Sequence, residues 1–433
     1  MKLQKSLLIV LGASALALVG CFPSMAPHSV AVVQPPTKAE ILEKLGKNVS
    51  FSKQRVERDP QGAIGLAMLS ESYLAVARVS DDDDAAKNAE AAARASLRVR
   101  TVNNARAARR LTEALLAQHK FKDAKESAAL AVQVSGEDPQ CLRQYGEVLL
   151  ELGEYSEFKT LLSKHQEMTQ SPEGLAMLSR WFEVIGKPEM STSLLEKAVD
   201  KVKASGSGHE SVLSWYKTQL GWTLLRSGHS ESAKAEFDNA LKVNPLERKA
   251  LAGLAKIAYD TNDWQSVVEL SKRANDIAPL TDVMGWEAIA LQKLGKDSEA
   301  EALILEIQKV NKLTPEEAAG VVHAHGAADL NPNSRHTHSR LYSKFLADSG
   351  RHLEFAHHAA EEDMEWRHDI HAYDTFAWTT YRFWLLDPKA KLEGDGLLKE
   401  AQVAIKKAMS LGTKDVEIVA HAKEILAAQP RGK

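Results

Sequence analysis

Residues 214–247 read SWYKTQLGWTLLRSGHSESAKAEFDNALKVNPLE, and this stretch decides the fold. Leu220, Gly221 and Leu224 share one helical face, Gly228 supplies a turn, and Ala233, Phe237 and Ala240 mark the apolar face of a second helix. Pro245 follows because it cannot continue that helix. Small residues at the facing positions let the two helices approach closely. Adding 34 to these numbers finds Leu254, Ala255, Ala258, Asn262, Val267, Ala274 and Pro279, so the unit recurs with its register kept. Going backward, Tyr145, Gly146, Leu149, Gly153 and Phe158 form another unit, preceded by Leu111, Leu115, Ala124 and Ala131. A unit on Ser179, Phe182, Gly186, Leu195 and Ala198 is set off by an insertion at 204–208, and one on Ala288, Leu291, Gly295 and Ala300 slips by a residue.

This spacing of small, large, turn and proline positions resembles the tetratricopeptide repeat (TPR). The resemblance implies an all-α, TPR-type α-solenoid of stacked antiparallel helix pairs, in which each unit buries its apolar face only against its neighbours. The array is expected over 39–310. A degenerate, His-rich TPR-like region follows over 311–433, with Leu341, Tyr342, Phe345, Gly350 and Ala356 in one unit. Asp374–Trp378 open another, interrupted at 385–396 and closing through Ala408, Leu411–Thr413 and a last helix to His421. Thr314, Pro315 and Glu317 spell a capping box and predict a helix start. Upstream, 63–97 reads as two helices around the run Asp81–Asp84, which lacks the glycine and closing glutamate of a calcium loop and reads as an exposed turn. The chain as a whole is similar to exported bacterial TPR proteins without an assigned role.

The amino terminus gives an address. Lys2 and Lys5 precede an apolar run from Leu7 to Gly20, which is shorter than the about 20 residues that span a bilayer and fits a secretory signal. Leu18-Val19-Gly20-Cys21 resembles the lipobox of bacterial lipoproteins. That resemblance implies a signal peptide over 1–20, cleavage before Cys21 and acylation of that cysteine. Phe22 stands where the family's inner-membrane retention signal places Asp, which implies an outer membrane facing the periplasm. Residues 21–38, with Pro23, Pro27, Pro35 and Pro36, form a spacer between lipid and folded body. The remaining cysteine, Cys141, is expected in the core.

Composition excludes other classes. The chain has 433 residues, 44% hydrophobic and 26% charged, with 24 Gly and 14 Pro, so it is neither disordered nor collagen-like. A formal charge of -3 gives no reason to expect nucleic acid. No nucleophile elbow, reactive-cysteine signature or phosphate loop is present, so no enzyme activity and no cofactor are expected. The expected function is a lipid-anchored scaffold or adaptor that binds a protein or peptide in the cell envelope.

On the strongest unit the family's concave-groove positions fall on Trp215, Thr218, Trp222, Leu225 and Arg226, and on the next unit on Lys249, Ala252, Lys256, Tyr259 and Asp260. Arg143 and Arg180 come from earlier units, with Glu113 and Glu147 beside them. Trp215 and Trp222 share one face and are either hot-spot aromatics or core. The mixed charge argues for a hydrophobic helix or extended peptide as occupant. An alternative rests on histidine. Ten of the 15 lie beyond residue 320, and His357 with Glu361, and likewise His358 with Glu362, stand one helical turn apart. No HExxH or Cys/His pairing fixes a geometry, so no metal ligands are assigned, and a metal-binding protein or metal-dependent enzyme using this His-rich region is the alternative.

Overall fold

A computed structural model describes residues 37–431 apart from 81–82, 207–209, 312, 321–338 and 392–393. The signal peptide, Cys21, the spacer up to residue 36, and His323, His325, His336 and His338 lie outside the described residues.

Helix α1 (Lys38–Arg58) starts on a capping box in which Thr37 and Glu40 satisfy each other's backbone amides. Antiparallel pairs then follow: α2 (Ala63–Ser80) with α3 (Asp83–Val99), α4 (Ala105–Ala117) with α5 (Phe121–Ser135), and α6 (Pro139–Leu152) with α7 (Tyr155–Lys164). The series continues with α8 (Pro172–Val184) and α9 (Pro188–Ala204), α10 (Glu210–Arg226) and α11 (Ser230–Val243), α12 (Arg248–Asp260) and α13 (Trp264–Ile277), and α14 (Thr281–Lys293) and α15 (Asp297–Val310). The capping box on Thr314 forms as its residues predict, but the helix it starts, α16 (Pro315–Ala318), lasts one turn before Gly320 takes a left-handed φ. Packing resumes with α17 (Ser339–Ser349) and α18 (Leu353–Asp363), α19 (Ile370–Leu386) and α20 (Gly396–Met409), and the single α21 (Val416–Ala427). Among the described residues there is no strand, and the architecture is an all-α solenoid of stacked antiparallel helix pairs, as the repeat spacing predicts.

The packing explains why the repeat positions hold the residues they do. Phe237 of α11 is fully buried between Gly221 of α10 and Gly253 of α12. A Cβ on Gly221 would stand 2.5 Å from Cε1 of the Phe237 ring, and one on Gly253 would overlap the same ring. Gly146 makes the same allowance for Met177 and Phe158. Cys141 is buried beside Ala108 and Ala131 and has no disulfide partner among the described residues.

The array does not stay open. One apolar cluster runs from Leu149, Phe158 and Trp181 of α6–α8 into Ile370, Trp378, Trp384 and Ile418 of α19–α21. The joints are made by turns. Gly153, after α6, is left-handed (φ 76°) and lies against the His368–Asp369 peptide, while the His368 amide donates to the Leu152 carbonyl at 2.9 Å. Gly186, after α8, lies against the Gly412 carbonyl, and the Thr413 hydroxyl donates to the Glu183 carbonyl at 3.4 Å. Gly228, after α10, faces Val416. The carboxy-terminal units thus seat on three successive turns of the middle of the array.

Candidate partner-binding cleft

Closure leaves an open cleft of about 1810 Å³ between the middle units and the carboxy-terminal ones. One wall comes from the first helices of successive pairs and carries Arg143, Glu147, Glu151, Arg180, Glu183, Trp215, Gln219 and Arg226. The opposite wall carries Arg340, Asp363, Arg367, Asp369, His371 and Asp415.

The charged residues are fixed by one another. Glu151 accepts from Arg180 at 2.6 Å and from Arg367 at 2.5 Å, so a single carboxylate ties the two walls. Burial alone would raise its pKa, but the guanidiniums of Arg180, Arg367 and Arg340 outweigh that and hold the carboxyl well below the usual range. Arg367 also meets Asp369 at 3.2 Å, and Arg340 meets the same carboxylate at 3.5 Å. Tyr155 accepts the Ile370 amide at 3.0 Å. Arg226 grips both oxygens of Glu183 at 2.9 and 3.0 Å, and Arg143 pairs with Glu147 at 2.5 Å. Farther along, Glu417 of α21 takes Lys344 and, at 3.7 Å, Lys256. Burial opposes ionisation of Glu417 too, and the two ammonium groups overturn it and depress its pKa. The lining therefore alternates in sign and presents no field of a single charge.

Of the residues that helix register assigns to a groove, the structure brings Arg143, Arg180, Trp215 and Arg226 together on one wall. Trp215 is 40% exposed and stands edge-on to Tyr216 at 4.8 Å between ring centres. Lys249 also lines the cleft, and the others lie elsewhere. Trp222 packs edge-on against Phe237 and donates its Nε1–H to the Lys249 carbonyl at 3.1 Å. Leu225 is buried. Lys256 is taken by Asp260 and Glu417, and Tyr259 sits between Trp264 and Trp286. The opposite wall, Arg340 to Asp415, escapes sequence reasoning because no spacing relates it to residues some 200 positions earlier.

The described histidines are dispersed among different tasks. His368 makes the closure bond, His371 lines the cleft, and His352 occupies a left-handed turn (φ 43°). His421 stacks on Trp378 at 4.1 Å and bonds Asp374 at 2.9 Å. Burial would lower its pKa, but the Asp374 carboxylate prevails and raises it. His357 is buried on α18, with Nδ1 2.9 Å from the Thr380 hydroxyl and its ring stacked on Phe383.

The site and fold define a closed helical-repeat protein with an internal cleft. No family model matches the chain. Among solved structures it is similar to PilF of Pseudomonas aeruginosa, at 14% identity and a TM-score of 0.30, over 57% of this chain and 94% of that one. It is also similar to a chain of the Naa15/Naa10 complex bound to HypK-THB, at 14% identity and a TM-score of 0.28, over 90% of this chain and 65% of that one.

Proposed function

We propose that this chain is a non-enzymatic scaffold or adaptor, tethered through acylated Cys21 to the periplasmic face of an outer membrane, that holds a protein or peptide of the cell envelope in its internal cleft. The observation that carries the binding reading is Trp215, a part-exposed indole on the wall of a large open cleft with Arg143, Arg180 and Arg226 along the same wall. A rigid aromatic beside guanidiniums is the composition of an interface hot spot. The pairing of each arginine with a carboxylate holds it in one geometry and lowers the cost of ordering it on binding. Because the lining is mixed in sign, it suits a peptide with both polar and apolar side chains better than a strongly charged ligand. The anchor rests on Leu18–Cys21 alone.

The binding reading is tested with a photo-crosslinking residue at position 215 or at Leu305, an exposed residue outside the cleft, in intact envelopes. A discrete adduct from 215 and none from 305, lost in an Arg180→Ala/Arg226→Ala variant, is the expected result. Equal capture from both positions would refute the cleft as the binding surface. For the anchor, radiolabelled fatty acid should enter the chain and should not enter a Cys21→Ser variant.

A further inference from the structure

Outside the cleft, α18 presents three side chains that no part of the binding reading uses. His357, His358 and Glu361 each offer a ligand atom within 4.8 Å of the others. His358 Nδ1 and Glu361 Oε2 are 3.3 Å apart. Two ligand atoms on a tetrahedral zinc ion, with bonds of about 2.0–2.1 Å, stand about 3.3 Å apart, so this pair already has the separation of one tetrahedral edge.

His357 is prepared by its surroundings. The Thr380 hydroxyl donates its single proton to the Phe376 carbonyl at 2.6 Å. Its contact with His357 Nδ1 at 2.9 Å must therefore be accepted from an Nδ1–H. That fixes the tautomer and leaves Nε2 as a lone-pair nitrogen. The ring is further held by stacking on Phe383 and by Phe376. An imidazole locked by a hydrogen bond at its other nitrogen is how proteins orient metal-ligating histidine. Glu361 is exposed and His358 is only partly covered, which leaves an entry path from solvent.

We infer that His357, His358 and Glu361 form a three-ligand site for a borderline divalent metal ion of the zinc class, with Thr380 as the positioning residue and the remaining coordination open to water or to a group from a partner. Two imidazoles and one carboxylate suit zinc and late first-row metals and disfavour magnesium and calcium, which take oxygen ligands.

The test uses the full chain without a histidine tag, stripped with chelator and titrated with Zn²⁺ by calorimetry and with Co²⁺ by visible absorption. One equivalent should bind, and Co²⁺ should give the d–d bands of a low-coordinate nitrogen-containing site. His358→Ala and Glu361→Gln, both at exposed or part-exposed positions, should each weaken binding about tenfold or more while leaving the helical circular dichroism unchanged. Thr380→Ser, which keeps the hydroxyl, should bind as the parent does. A variant with His323, His325, His336 and His338 all changed to Ala should still bind one equivalent. Binding that survives His358→Ala with Glu361→Gln, or that vanishes in the four-histidine variant, would overturn the assignment.

Discussion

Gly153→Ala is predicted to unseat the carboxy-terminal units from the middle of the array. Gly153 sits at φ 76°, where a side chain costs about 1 kcal/mol of backbone strain. Its built Cβ would overlap the carbonyl carbon and oxygen of His368 and the nitrogen of Asp369. These are backbone atoms and have no rotamer to yield, so the segment must move away. Doing so breaks the His368 amide to Leu152 carbonyl bond (2.9 Å) and the Ile370 amide to Tyr155 bond (3.0 Å), each worth about 1 kcal/mol, and the Arg367–Glu151 contact, worth about 2. The expected loss is thus about 4 kcal/mol beyond the strain. Gly295→Ala is the control, since it has φ 72° with nothing within 4 Å of a built Cβ, and should cost only about 1 kcal/mol. Guanidinium unfolding of both variants gives the difference, and amide hydrogen exchange at His368 and Ile370 reports the joint directly. If the two variants unfold within about 0.5 kcal/mol of each other and the His368 amide stays protected, the reasoning is refuted.

Glu287 is 4% exposed, and burial pushes its carboxyl up to about 7, with an Asn275 hydrogen bond opposing. The folded state therefore takes up this proton before the unfolded chain does, and stability falls as pH rises from about 4.5 through 7. Glu287→Gln should stabilise the protein by roughly 3 kcal/mol at pH 8 and by almost nothing at pH 4, read by thermal unfolding at the two pH values. The depressed carboxyls of Glu151 and Glu417 act with the opposite sign: their contribution is complete above the unfolded carboxylate range and is lost as pH falls below it. Glu151→Gln should cost roughly 3 kcal/mol at pH 7 by leaving Arg180 and Arg367 uncompensated, and should flatten the acid limb of the stability profile. An unchanged acid limb would show that Glu151 does not couple the walls.

What the sequence reveals and what it hides divide by range. Helix pairs are legible because their determinants are local: Leu220 and Leu224 share a face, Gly228 turns the chain at a left-handed φ of 85°, and Asn262 replaces glycine one repeat later with a left-handed φ of 59°. Even the tight fit of Phe237 is implied by Gly221 and by the small residues one repeat on. Closure is different. Gly153 and Gly186 read as turn residues, and the periodicity holds no mark of the second demand on them, that a distant backbone must rest where a Cβ would be. The same blindness affects the cleft. Register places Arg143, Arg180, Trp215 and Arg226 on a common face, but it cannot know that Arg367, Asp369 and His371 will face them. Nor does it foresee that Trp222 and Tyr259 are consumed by aromatic packing between neighbouring helices.

An open helical array folds like a zipper, since each unit touches only its neighbours and can form or fray on its own. Here the bonds from Arg367 to Glu151, Ile370 to Tyr155 and Thr413 to Glu183 join residues 216, 215 and 230 positions apart. Such joints can form only after most of the intervening chain is in place, and the entropy of closing that loop has to be met first. The middle units and the last ones then melt together instead of fraying singly, while α1–α3, which lie before the joints, keep the freedom of an ordinary array end. The protein should accordingly show two cooperative blocks, a loosely held amino-terminal edge and a locked remainder that gains its final rigidity only when the last two turns have been translated and seated.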